Sequence, residues 1–328
     1  MTADLLIPDI PIVEARGLCR SFAPRGGGLF QRGRKLLAVS DVNLAIFRGE
    51  AVGVVGESGC GKSTLGRLLL HLLPPSSGEV RFEGESLAGL HPAELRRLRQ
   101  RAQMVFQDPQ ASLDPRRSVG AQIADGIEIH RLAPRADVAD LVAKLLRQVQ
   151  LDPGIAHQLP HQFSGGQRQR IAIARALATK PDFIVADEPV SALDVSVQAQ
   201  IVNLLADLRS QLHLTLVFIS HDLHVVRHLC DRVVVMYLGR VVEEGPTAQV
   251  FASPAHPYTR ALLASTPSLH HRVTAVPLVG EIPSAANPPS GCPFRTRCPQ
   301  AAPVCADQLP LLTELPHNPA HRVACVRP

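Results

Sequence analysis

The chain has 328 residues, of which 45% are hydrophobic and 4% aromatic, with no tryptophan and a formal net charge of +5. That size suits one large domain with an extension, or two modest domains, around a full apolar core. No apolar run approaches the roughly 18–20 residues that span a bilayer, and the basic balance reads as an ordinary surface rather than as an anionic partner. Asp4, Asp9 and Glu14 stand where a secretory leader would carry positive charge and then a long apolar stretch, so a soluble cytoplasmic chain is expected, one that sits on a membrane partner. Seven cysteines would permit disulfides, but a reducing compartment argues against them.

In chain order, Ile12–Leu18, Leu37–Asn43 and Ala51–Val55 carry strand patterns, separated by a loop at Pro24-Arg25-Gly26-Gly27-Gly28. The third strand runs into a glycine-rich loop. Beyond it, Leu65, Leu68, Leu69 and Leu72 mark a helix over Ser63–Leu73, which Pro74 and Pro75 would stop. Residues 92–180 read as mostly helical, with a helix opened by Pro92 and running to Arg101, another over Val138–Val149 and a third over Gln167–Thr179. Strand and helix then alternate: a buried strand at Phe183–Ala186, a helical face at Val197, Ile201, Leu204, Leu205 and Leu208, and a buried strand at Thr215–Ile219. Val233–Met236 and Val241–Glu243 close the pattern. Alternation of this kind predicts an α/β fold with a largely parallel sheet covered on both faces. After about residue 253 the character changes. Pro254, Pro257, Pro267, Pro277, Pro283, Pro288 and Pro289 crowd a segment that also holds four of the seven cysteines, and it reads as a C-terminal extension.

The loop Gly56-Glu57-Ser58-Gly59-Cys60-Gly61-Lys62-Ser63, followed by Thr64, lies between a strand and a helix, the context that phosphate binding requires. Glycines let backbone N–H groups turn toward phosphate oxygens at a helix N-terminus. Lys62 supplies a cation for the β- and γ-phosphates, and the Ser63 hydroxyl is placed to ligate Mg²⁺. Asp187 and Glu188 end a buried strand, at the edge where ligands of such sheets gather. Asp187 would face Mg²⁺, and Glu188 would polarise the attacking water. Ser164-Gly165-Gly166-Gln167 has two readings: a helix capping box that needs no ligand, and a glycine-opened helix N-terminus that receives a γ-phosphate.

Taken together, these motifs make residues 11 to about 250 resemble the ATP-binding-cassette (ABC) ATPases. The resemblance implies a P-loop NTPase cassette: a RecA-like core, an antiparallel β subdomain and a helical signature subdomain over about 108–180. It divides the chain into a nucleotide-binding domain over 1–253 and the Pro/Cys-rich extension over 254–328. Phe22 stands where these proteins stack a ring on adenine. Gln107, in Val105-Phe106-Gln107-Asp108-Pro109, matches the glutamine that senses Mg²⁺ and the lytic water. Ser164–Gln167 matches the signature, with Phe163 in place of the commoner leucine before it. Asp194, in Ser191-Ala192-Leu193-Asp194, matches the loop that crosses the dimer interface, and His221 matches the switch histidine on the γ-phosphate. In this family the P-loop of one cassette closes on the signature of another. A second cassette is therefore implied.

His256-Pro257-Tyr258-Thr259-Arg260-Ala261-Leu262-Leu263, Ile282-Pro283, Asn287-Pro288-Pro289-Ser290-Gly291-Cys292 and Phe163-Ser164-Gly165-Gly166-Gln167 resemble the oligopeptide/dipeptide group of ABC importers. So does the Leu29-Phe30 insertion with its basic Arg32, Arg34 and Lys35. Within that group the glutamine-bearing signature is similar to the second of two paired ATPases. The resemblance implies a paralogous ATPase partner, two transmembrane permease subunits and an extracytoplasmic peptide-binding protein, with this chain on the cytoplasmic face of the bacterial inner membrane. Nickel, glutathione or another small solute are alternative cargoes. A soluble ABC ATPase acting on nucleic acid or the ribosome is a remoter alternative; it draws on the basic balance but lacks the fused second cassette or long insertion of such proteins, and no nucleic acid is expected. Cys292, Cys298, Cys305 and Cys325 follow a Cys-x5-Cys-x6-Cys-x19-Cys pattern without the close pairs of structural zinc sites. They are compatible with a [4Fe–4S] cluster, which the resemblance favours over zinc or unliganded thiols. Cys60 reads as filler within the P-loop, and Cys19 and Cys230 as small buried residues.

Overall fold

The computed structural model describes residues 10–23, 35–265 and 280–327. The Leu29-Phe30 insertion, Arg32, Arg34, Asp4, Asp9, Pro267 and Pro277 lie outside these residues. Inward apolar residues, Val13, Ala15 and Leu18 of β1 (Val13–Phe22) and Val39, Val42, Leu44 and Ile46 of β2 (Leu36–Ile46), seat two strands that pair antiparallel, Val13 opposite Ile46. After β3 (Ala51–Val55) and α1 (Lys62–Leu69), β4 (Ser77–Phe82) and β5 (Glu85–Ser86) complete a four-stranded antiparallel sheet in the order β2-β1-β4-β5. Helix α1 stops before the expected Leu73: His71 already has φ 52°, so the chain leaves the helix ahead of the two prolines.

Helix α2 (Pro92–Arg101) leads straight into β6 (Ala102–Val105), a strand inside the stretch expected to be helical. Its residues favour a helix locally, but ladder pairing with a buried strand overrides that preference. Next come α3 (Pro109–Ser112), α4 (Val119–Ile129), α5 (Val138–Gln148) and α6 (Gly165–Leu177), the helical region that carries the signature motif. Then β7 (Phe183–Asp187), α7 (Val195–Leu212), β8 (Thr215–Ile219), α8 (Leu223–Leu229), β9 (Arg232–Tyr237) and β10 (Arg240–Pro246) alternate as expected, apart from α8, whose seven residues carry too short a pattern to read. The tail adds α9 (Thr247–Ala252), α10 (Pro257–Ala264), α11 (Val304–Asp307), β11 (Thr313–Leu315) and β12 (Asn318–Val323).

The main sheet runs β11-β12-β10-β9-β3-β8-β7-β6, parallel from β9 to β6 and antiparallel from β9 out to β11. Its central strands β3, β8 and β7 are buried on both faces, and the two-residue period sorts their side chains. Phe183, Val185, Val217 and Ile219 point into one core, shared with α1 and the antiparallel sheet. Ile184, Ala186, Leu216 and Phe218 point into the other, beneath the helices. Tyr258, Cys292, Phe294 and Cys305 of the tail belong to that second core. Because β3, β7 and β8 are parallel neighbours, their carboxyl ends bring the glycine loop, Asp187 and the Ile219–His221 turn to one edge.

Candidate nucleotide site

The glycine loop occupies the β3–α1 turn. Gly56, Gly59 and Gly61 all have positive φ, and a Cβ on Gly61 would lie 2.1 Å from the Ala38 carbonyl oxygen, so no other residue fits there. Lys62 is only 4% exposed, and its Nζ donates to the carbonyls of Gly56 (2.7 Å) and Glu57 (3.1 Å). The ammonium thus lies inside the loop, satisfied by the backbone that would wrap a phosphate. Next to it, the Ser63 hydroxyl donates to Asp187 Oδ1 at 2.7 Å. Asp187 is 1% exposed, and burial pushes its carboxyl above the usual carboxylate range; the Ser63 hydrogen bond and the charges of Arg67 and Lys62 oppose that, while Glu188 adds to it. An all-oxygen pair of this kind suits a hard divalent cation such as Mg²⁺.

Glu188 follows with φ 45°, a left-handed conformation uncommon outside glycine. Two neighbours hold it there. Its amide donates to the Ile219 carbonyl at 3.0 Å, and its carbonyl accepts from Ser191 Oγ at 3.1 Å. The side chain then meets two residues from other elements: Gln107 Nε2 donates to Glu188 Oε2 at 3.1 Å, and His221 Nδ1 lies 3.4 Å from the same oxygen. Two residues, one 81 positions before Glu188 and the other 33 after it (188 − 107 and 221 − 188), converge on its carboxylate.

Ser164 and Gln167 sit at the N-terminus of α6. Ser164 Oγ accepts from the Gln167 amide at 3.3 Å and Gln167 Oε1 from the Ser164 amide at 2.9 Å, so the capping box is formed. It leaves the first-turn amides of Gly165 and Gly166 without an intrahelical acceptor, which is what an anion at this terminus would use. A Cβ on Gly166 would stand 2.5 Å from Val197 Cγ1, so close packing of α6 on α7 also demands glycine. Phe163, the departure from leucine, is buried in the helical core, where its ring finds room. Asp194 is the N-cap of α7 and exposed, and Val195 beside it is 82% exposed. Phe22 ends β1, half-buried, with the Arg20 guanidinium 4.8 Å over its ring.

The tail reaches this site in a way that no local pattern announces. Arg297 makes a two-pronged ion pair with Glu57, and the Tyr258 hydroxyl accepts from the Glu57 amide at 2.8 Å. Nearby, all four tail cysteines are free thiols. Burial raises the Cys292 thiol first, and Cys305, Cys325 and Cys298 raise it further, so the four share one region. Among the described residues, however, no group of three or more His, Cys, Asp or Glu side chains is disposed to hold a metal ion.

A glycine loop on a parallel sheet, a Ser–Asp pair at its base and a Gln–Glu–His convergence beside it define a P-loop ATP-binding cassette. Residues 39–191 match the family described as ABC transporter, and residues 242–305 match the oligopeptide/dipeptide transporter C-terminal region. A Brucella ovis protein, provisionally named a peptide import ATP-binding protein, is 50% identical over 97% of this chain and 98% of its own length. The oligopeptide transport ATP-binding protein AppF of Bacillus subtilis is 48% identical over 96% of each. The dimeric ATP-binding cassette MJ0796, solved in a post-hydrolysis state with ADP and Pi, superposes with a TM-score of 0.64 at 29% identity, covering 72% of this chain and 98% of that one. The chain belongs to the ABC transporter ATP-binding proteins, and it carries the C-terminal region of their oligopeptide/dipeptide group. Among the described residues no helix is long and apolar enough to cross a membrane.

Proposed function

We propose that this chain hydrolyses ATP to drive import of di- or oligopeptides, working from the cytoplasmic face of a bacterial inner membrane. The observation that carries the ATPase reading is the convergence of Gln107 and His221 on Glu188, beside the Ser63–Asp187 pair. Lys62 leaves its carbonyl partners for the β- and γ-phosphate oxygens. Ser63, Asp187 and Gln107 would hold Mg²⁺, which when bound supplies charge neutralisation across those phosphates. Glu188 orients the attacking water and polarises its O–H. His221 contacts the γ-phosphate, and Gln107 ties Glu188 to the helical region. Gly56–Thr64 wrap the phosphates and Phe22 stacks on the base, while Ser164–Gln167 and Asp194 complete the site of a second cassette.

The peptide cargo rests on the matched C-terminal region and on the names of the relatives. In this reading residues 1–253 form the cassette, with the helical subdomain at about 108–180, and residues 254–328 form the extension. Its partners are a paralogous ATPase, two permease subunits and an extracytoplasmic peptide-binding protein. Glu188→Gln in the assembled transporter should keep ATP binding and lower hydrolysis by about a thousandfold. Normal turnover by that variant would overturn the mechanism.

The four cysteines carry a separate part of the proposal. Four free thiols in one region are the right donors for a [4Fe–4S] cluster, and their spacing disfavours structural zinc. Burial raises the Cys292 and Cys298 thiols, and because a cluster takes thiolates, loading would release protons; the side chains would also have to turn to form a ligand set. Anaerobically purified protein should contain about four iron atoms per chain with visible absorption; stoichiometric zinc in their place would sink this assignment.

A further inference from the structure

Of the residues in the glycine loop, Glu57 is tied most completely to the rest of the chain. Its amide N–H donates to the Tyr258 hydroxyl at 2.8 Å, and its carbonyl accepts from Lys62 Nζ at 3.1 Å and from the Cys60 amide at 3.2 Å. Its carboxylate accepts from Arg297 Nη1 at 2.7 Å and Nη2 at 3.0 Å. Both tail partners are firmly seated. Tyr258 is fully buried, and its ring centroid stands 4.8 Å from Tyr237 and 5.4 Å from Phe294. The Arg297 side chain is 5% exposed, its guanidinium 5.9 Å over the Tyr237 ring. Two-pronged Arg–carboxylate pairs fix geometry as well as adding energy. Removing one partner of a shielded pair leaves a charge unmatched.

The consequence falls on Lys62. Its ammonium rests on the Gly56 and Glu57 carbonyls, so the position of the Glu57 peptide unit sets where the cation waits and how far it must move to reach a phosphate. We propose that Arg297 and Tyr258 are positioning residues of the nucleotide loop. Through them the C-terminal extension is part of the ATP site and sets its affinity for the nucleoside triphosphate. The proposal rests on the glycine loop being that ATP site. Neither residue touches substrate; both act through Glu57. Arg297 also stands one place before Cys298, inside the loop that begins at Cys292, so this hold on Glu57 comes from the cysteine-bearing segment itself.

The test uses the full chain, titrated with a fluorescent ATP analogue, and then the assembled transporter for steady-state hydrolysis. Arg297→Ala should raise Kd and KM for ATP about tenfold while leaving kcat at saturating ATP within about twofold. Tyr258→Phe, which removes only the hydroxyl, should raise both by about threefold, and Arg297→Lys should recover part of the Arg297→Ala loss. Glu57→Gln combined with Arg297→Ala should cost little more than Arg297→Ala alone, because both break one contact. A merely structural role would lower the melting midpoint without this split between KM and kcat or this non-additivity. If Arg297→Ala fails to fold, Tyr258→Phe and Glu57→Gln still carry the test. Lys62→Ala separates the two ideas: should it bind nucleotide normally, the loop is not the ATP site. Should it lose binding while Tyr258→Phe and Glu57→Gln keep wild-type Kd, the site stands and the positioning role falls.

Discussion

The two glycine motifs of this chain are built in opposite ways. The glycine loop is finished from within: Lys62 rests on loop carbonyls, Ser63 on Asp187, and Glu57 on the tail. The signature end is turned outward. Its capping box satisfies only its own helix, and Asp194 and Val195 beside it stand exposed. On the proposed reading the first motif would bind nucleotide within one chain, whereas the second would contribute only when another cassette closes over it.

Four expected outcomes break or sharpen that contrast. Lys62→Ala should weaken nucleotide binding by the chain on its own by at least about a hundredfold, measured by titration. Gly166→Ala should leave that binding unchanged yet lower hydrolysis by the assembled transporter about tenfold, because its Cβ meets Val197 and displaces the helix start. A Gly166→Ala chain that loses nucleotide affinity by itself would erase the distinction. The third outcome concerns the support under the inner motif. His256 caps α10, its Nδ1 accepting from the Tyr258 amide at 3.0 Å, and burial lowers its pKa from 6.5 to about 4. The unfolded chain therefore holds the extra proton between those values, and stability present above pH ~6.5 is lost as the pH falls toward about 4. His256→Asn keeps a cap acceptor without the titration and should flatten that acid loss in thermal melts. The smallest effect belongs to Ser164→Ala, which removes one cap bond worth about 1 kcal/mol. It should lower the melting midpoint by about 2 °C.

Much of the fold was readable because its signals are local. β3, β7 and β8 are continuous buried runs of strand length, and α5 and α7 keep a helical period over three turns or more. The glycine loop was legible because its chemistry needs consecutive residues. The misreadings also have local causes. Ala102–Val105 has no strand bias of its own and takes its form from pairing with β7. Arg297 and Tyr258 could not be found this way. They lie 240 and 201 positions from Glu57, and nothing in a run of residues says which distant carboxylate an arginine will meet.

The hairpin of β11 and β12 lies along β10, where Glu243 is registered with Val323. Without it, β10 would present a row of open backbone donors and acceptors to solvent, a template on which other chains pair. A cassette shortened before this hairpin is therefore expected to be sticky at high concentration. Expression trials that trim the proline-rich tail to simplify the protein would then meet precipitation rather than a tidier domain.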